Sequence, residues 1–150
     1  MAYDVEEAKK LVVEAGKKLL ETGLIARTWG NVSARISDTQ FVITPSGRAY
    51  DTLTPEEVVV VNIDDCSHEG DIKPSSEKGI HADAYKHHPL VNFVIHTHQK
   101  AATIVSITGM EIRNVYNEFK PVLGDYVPVA DYAMSTTCLL YTSDAADDLT

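Results

Sequence analysis

The sequence predicts an α/β fold in which helices cover a mixed β-sheet, and two observations carry that expectation. Segments with the helical spacing of apolar residues alternate with short β-branched runs along most of the chain, and one hairpin interrupts the alternation. At 150 residues the chain has room for one domain with a substantial core and for no second one of similar size. No internal repeat and no linker-like stretch divides it.

Residues 4–22 carry Ala8, Leu11, Val12, Ala15 and Leu19 at helical spacing, and Gly23 follows as a C-terminal stop. Val32, Ala34 and Ile36 alternate with polar residues. Ser37-Asp38-Thr39-Gln40 then makes the turn and Phe41-Val42-Ile43 returns as the second arm of a hairpin. Thr54-Pro55-Glu56-Glu57 reads as an N-cap, a proline at the first helical position and acids in the first turn. That helix must be short, because Val58 to Val61 is a β-branched run suited to a buried strand. Cys66 to Ile72 is polar and reads as a loop. Ser75-Ser76-Glu77 opens a helix reaching about His87, closed by Pro89. A strand over 91–98, a helix over 101–107 ended near Gly109, and strands over 112–116 and 126–129 complete the expected order.

Composition removes several functional classes. The formal charge of −9, with Lys and Arg scattered, argues against a nucleic-acid binder. No apolar stretch approaches the ~18–20 residues that span a bilayer, and the N-terminus mixes acids with lysines rather than forming a signal peptide. Only Cys66 and Cys138 are present, too few for a disulfide framework, so a cytoplasmic protein is expected. Residues 138–150 differ in style from the rest. They carry three acids and no base, form no amphipathic element, and resemble a translated sequencing adapter. The native domain is therefore expected to span 1–137, C-terminally truncated, with 19 acids against 13 bases and a formal charge near −6.

The chemistry centres on His96 and His98, which end the apolar run Leu90 to Ile95. Residues at i and i+2 of a strand share a face, so both imidazoles project from one side at the strand's C-terminal end. Glu77 opens the preceding helix. Two neutral imidazoles and a carboxylate suit Zn²⁺ or another divalent metal. Three loops of small and hydroxyl residues accompany this group: Gly30-Asn31-Val32-Ser33, Thr44-Pro45-Ser46-Gly47 and Pro74-Ser75-Ser76-Glu77. Their backbone N–H groups, and the helix N-terminus at Ser75 and Ser76, favour an anion such as phosphate. Singly, each motif is an ordinary turn or helix start, and a His-x-His pair is more often packed or superficial than metal-binding. Their order and combination carry the information. His68, His81, His87 and His88 read as surface or helix residues, and Arg27 and Trp29 as braces of the glycine loop.

That ordered set resembles the class II aldolase/adducin N-terminal family, most closely its L-fuculose-phosphate aldolase branch. The residues that carry the likeness are Gly-Asn-Val-Ser-Ala-Arg at 30–35, Thr-Pro-Ser-Gly at 44–47 and Lys-Pro-Ser-Ser-Glu at 73–77. They continue with His-Pro at 88–89, Val-Ile-His-Thr-His at 94–98 and Pro-Val-Ala-Asp-Tyr-Ala at 128–133. The resemblance implies a three-layer α/β/α domain. It implies Glu77 as catalytic acid/base that also approaches the metal, and His96 and His98 as zinc ligands. It further implies Gly30, Asn31, Ser46, Gly47, Ser75 and Ser76 as the phosphate cradle. The family's third histidine ligand lies well beyond the His-x-His pair, in a segment this chain lacks. Because catalytic zinc keeps three protein ligands and an open position, the chain as it stands is expected to have an incomplete site and reduced or no activity. The family's aldolases also use a tyrosine from a neighbouring subunit, for which Tyr116 is the nearest match, one residue out of register. A homotetramer follows from the same likeness.

The implied reaction is zinc-dependent aldol cleavage of a ketose 1-phosphate, resembling L-fuculose 1-phosphate, to dihydroxyacetone phosphate and an aldehyde. A metal-dependent sugar-phosphate dehydratase or epimerase of the same fold is an alternative, although the epimerase motif tends to carry Asp at the place of Glu77. A non-catalytic adducin-like interaction module is a further one, disfavoured by the intact Glu77, His96 and His98. For Glu77, burial would raise the carboxyl pKa and a metal would oppose that shift.

Overall fold

The computed structural model describes residues 3–132. Helix α1, Val5–Glu21, starts at Asp4, whose side chain accepts the backbone N–H of Glu6 at 3.0 Å. It stops where Gly23 takes φ +71°, and the Leu24 N–H reaches back to the Leu19 carbonyl at 3.0 Å. Strands β1 (Asn31–Arg35) and β2 (Gln40–Ile43) form the expected hairpin, with Ser33 opposite Ile43 and Arg35 opposite Phe41. Pro55–Glu57 is a single 3₁₀ turn with a capping box between Thr54 and Glu57. Strand β3, Val59–Asn62, then pairs with β2. Helix α2, Lys78–His87, leads into β4, Phe93–His96, on the far side of β1.

The sheet order is β3-β2-β1-β4. Val32, Ala34 and Val42 face α1, where they pack with Ala8, Val12 and Leu19. Phe41, Ile43, Val59 and Val61 face the other way and pack with Ala82 and Tyr85 of α2. Helices thus cover both faces of the sheet, and the three α/β/α layers are as expected. The strand directions correct one expectation: every pairing in this sheet is antiparallel among the described residues, not mixed. The crossover through α2 carries the chain from one edge of the sheet to the other, so strands that run the same way are never neighbours.

Gly16 and Gly30 mark where backbone must come close. A Cβ on Gly16 would lie 2.7 Å from Cε1 of Tyr50, whose buried ring wedges against α1. The Tyr50 hydroxyl donates to the Gly30 carbonyl at 2.7 Å, tying α1 to the start of β1. Gly30 itself has φ +80°, and a Cβ there would stand 2.8 Å from the His96 carbonyl oxygen.

Beyond β4 come α3 (Lys100–Ile107) and the strands β5 (Ile112–Arg113) and β6 (Tyr126–Val127). These strands are shorter than expected and pair with each other in a separate antiparallel ribbon. Between them lie a 3₁₀ turn, Asn117–Phe119, and the short helix α4, Lys120–Leu123, which sequence pattern did not reveal. No helix among the described residues is long and apolar enough to cross a membrane. The adapter-like stretch 138–150 lies outside the described residues.

Candidate metal centre

Helix α2 and strand β4 bring Glu77, at the start of the helix, together with His96 and His98, at the end of the strand. One ligand atom from each lies within 4.8 Å of the others. The expected strand over 91–98 ends at His96, so His98 lies two residues beyond it. Its ring nevertheless stays on the same side, stacked on His96 with centroids 4.8 Å apart and 28° between planes. Nδ1 of His96 is 3.2 Å from Oε2 of Glu77. That approach is close enough for attraction but too poorly directed for a hydrogen bond, so Nδ1 is a buried nitrogen without a hydrogen-bond partner. A buried imidazole nitrogen turned towards a carboxylate, with a second imidazole beside it, is a donor set that fits a divalent cation of the zinc type.

Burial raises the Glu77 pKa as expected, but it does not set the net direction. The His96 imidazole beside it, helped by the Asn31 amide, outweighs burial and holds the carboxyl at about 2. Glu77 is therefore an ionised acceptor across the neutral range. Asn31 Nδ2 donates to its Oε2 at 2.7 Å.

Two of the three loops lie side by side. Residues Pro45 and Pro74 form an isolated antiparallel bridge, Ser46 N–H donates to the Lys73 carbonyl at 2.9 Å, and Ser75 N–H donates to the Thr44 carbonyl at 3.0 Å. Gly30 immediately precedes β1, and Asn31, its first residue, reaches Glu77 directly. Ser46, Gly47 and Ser76 are exposed, whereas Asn31 and Ser75 are buried. The Ser75 hydroxyl accepts the Glu77 N–H at 3.3 Å, so it helps to start α2. Trp29 is 60% exposed, with its ring 6.1 Å from that of His98. It borders the site rather than bracing the loop from within. Tyr116 is not brought to this group: it is 62% exposed and lies against Phe119, ring edge to face.

Sequence reasoning missed the polar chain behind Glu77. His81, read as a surface or helix residue, lies on α2 and is fully buried. Its Nε2 meets Asn31 Oδ1 at 2.5 Å and its Nδ1 meets Ser33 Oγ at 2.6 Å. Burial, more than any neighbouring charge, depresses its pKa to about 3, so the ring is neutral. Ser33 Oγ is also 2.7 Å from the Tyr85 hydroxyl, which burial holds well above the usual phenol range. The Arg35 guanidinium lies over the Tyr85 ring, 4.7 Å from its centroid, and donates to the Tyr85 and Val91 carbonyls at 2.5 and 3.0 Å. The signal was available. Glu77, His81 and Tyr85 follow one another at i, i+4, i+8, one face of a helix, and Asn31, Ser33 and Arg35 share one face of a strand.

Comparison with known proteins bears on this arrangement. The family model of the class II aldolase and adducin N-terminal domain matches residues 10–149. Among solved structures, an L-fuculose 1-phosphate aldolase is 29% identical at a TM-score of 0.84, with 94% of this chain and 68% of that one covered. The L-fuculose-1-phosphate aldolase of Thermus thermophilus is also 29% identical, at a TM-score of 0.75, covering 92% of this chain and 68% of that one. YgbL of Klebsiella pneumoniae, a putative aldolase/epimerase/decarboxylase, is 25% identical at a TM-score of 0.78, covering 98% and 70%. With the family model spanning nearly the whole sequence, the chain belongs to the class II aldolase and adducin N-terminal domain family.

Proposed function

We propose that this protein is a zinc-dependent aldolase that cleaves a ketose 1-phosphate of the L-fuculose 1-phosphate type into dihydroxyacetone phosphate and a short aldehyde. The observation that carries the reading is the position of Glu77, whose carboxylate touches both His96 and Asn31. It joins the candidate metal ligands to the loop expected to hold phosphate. Glu77, His96 and His98 would hold the metal, which when bound acts as a Lewis acid on the substrate carbonyl and its adjacent hydroxyl.

In this reading the backbone N–H groups and hydroxyls at Gly30, Asn31, Ser46, Gly47, Ser75 and Ser76 bind the phosphate and fix the sugar's orientation. Glu77 delivers a proton to the carbon next to the carbonyl once the carbon–carbon bond has broken, and removes it in the reverse addition. The functional unit is a cytoplasmic homotetramer in which Tyr116 of an adjoining subunit takes the hydroxyl proton at the aldehyde end during cleavage and donates it in the reverse addition.

The test is the zinc content of the protein expressed from its re-sequenced reading frame, together with its products from L-fuculose 1-phosphate. About one zinc per chain and release of dihydroxyacetone phosphate support the proposal. Zinc near zero in the wild type, unchanged in His96→Ala, would turn the reading towards a non-catalytic module. Bound zinc with a dehydrated or epimerised product would move it to another reaction on the same fold.

A further inference from the structure

We propose that His81 is a positioning residue: as the neutral Nε2–H tautomer it fixes the side-chain amide of Asn31 so that its N–H₂ group faces Glu77. The inference rests on the reading of Glu77 as the reacting base, but its geometry does not depend on the substrate.

The polarity of the chain follows from what each atom can do. The Glu77 carboxylate only accepts, so the Asn31 group 2.7 Å from Oε2 is the amide nitrogen, and Oδ1 points the other way. Oδ1 only accepts, so the His81 nitrogen 2.5 Å from it, Nε2, carries the proton. A neutral ring protonated at Nε2 has a bare Nδ1, which accepts from the Ser33 hydroxyl at 2.6 Å. With the Ser33 hydrogen so used, the Tyr85 hydroxyl donates to Ser33 Oγ at 2.7 Å. Each donor has one acceptor, and the chain runs without a break from Tyr85 to Glu77.

The consequence is specific. Asn31 is an amide whose two ends differ only in hydrogen bonding, and a flipped amide would set its oxygen against the carboxylate. His81 Nε2–H opposes the same flip from the other side, because a flipped Asn31 would set N–H₂ against N–H. His81, fully buried, touches no solvent and cannot reach substrate. It acts through Asn31.

The test is nuclear magnetic resonance on the full chain with ¹⁵N-labelled histidine and asparagine near neutral pH. Long-range ¹H–¹⁵N correlation is expected to show His81 protonated at Nε2 and bare at Nδ1. A ring protonated at Nδ1, or at both nitrogens, overturns the proposal. His81→Gln can place an amide N–H near the position of Nε2–H, whereas His81→Leu cannot. The Asn31 side-chain amide is expected to exchange with water about tenfold faster in His81→Leu, the size of one lost hydrogen bond, and close to the wild-type rate in His81→Gln. Equal exchange in both variants overturns it, and if His81→Leu does not fold, faster exchange in His81→Gln does so too. An absence of lyase activity would count against the proposed reaction and leave these readouts untouched.

Discussion

On one side of β1, Val32 and Ala34 meet Ala8, Val12 and Leu19 of α1 in a wholly apolar contact. On the other side, Asn31, Ser33 and Arg35 of the same five-residue strand meet Glu77, His81 and Tyr85 in a chain of hydrogen bonds. All five strand residues are buried, so neither face is more exposed to water than the other. The apolar face gains stability from area removed from water, is indifferent to direction, and tolerates small shifts. The polar face gains little net energy per bond but leaves a costly unpaired group whenever one member is removed. What the second face offers is orientation, and it ends at the one carboxylate that touches the candidate metal ligands.

The largest effect that would sharpen this contrast is chemical. Glu77→Gln removes the acid/base group and should cut turnover by about 10²–10⁴-fold, the usual range for general acid–base catalysis, with the fold retained by circular dichroism. Retained turnover would remove Glu77 from its assigned role.

The next comparison sets packing on the two sides. Phe41→Ala empties the fully buried ring that packs on Tyr85, 5.2 Å between centroids, and should cost about 3–5 kcal/mol in urea unfolding. Val12→Ala on the α1 side should cost about 2 kcal/mol, from two buried methyl groups and the space they leave. Its effect should stop at stability, with wild-type metal affinity at saturating folded fraction.

Ser33→Ala leaves both His81 Nδ1 and the Tyr85 hydroxyl without their shared partner, and should cost about 1–3 kcal/mol despite the loss of a single oxygen. Its neighbour Ala34→Ser would bury an unpaired hydroxyl on the other face and cost a similar amount. The difference lies in the site. The first variant should broaden or shift the His81 ring resonances, and the second should leave them in place.

A dependence on pH separates the two faces in another way. His81 has a folded pKa of about 3 against an ordinary value of 6.5. Between these values the unfolded chain binds a proton that the folded chain does not, so stability rises with pH across that window. The contribution is complete above about 6.5 and is lost as the pH falls towards 3. His81→Gln should flatten the stability profile between those limits, whereas Val12→Ala should shift it without changing its slope. The smallest effect is expected outside both cores: Ile107→Ala, at an 80% exposed position of α3, should change stability by no more than about 0.5 kcal/mol.

Much of the fold was legible because local pattern sufficed for it. Asp4 and Gly23 bracket α1, the alternation of Val32 and Ala34 with polar residues sets the hairpin face, and Thr54 to Glu57 confine a turn to three residues. The pairing of His96 with His98 was legible for the same reason, since i, i+2 spacing survives even though β4 stops at His96, whereas Glu77 was joined to them by the ordered set of motifs. His81 was not, because helical spacing places it on a face without saying what that face meets. Nor was the direction of the Glu77 shift, which depends on an imidazole nineteen positions away in sequence.

The sequence by itself determined most of the segments up to β4 that form helices and strands and which side chains share a face, because those follow from periods of 3.6 and 2 along the chain. Tertiary structure alone decided that the sheet is antiparallel throughout its described strands and that α2 lies across the polar face of β1. It also decided that His81 is buried and neutral. These depend on which elements become neighbours, and hydrogen-bond partners and burial exist only between neighbours.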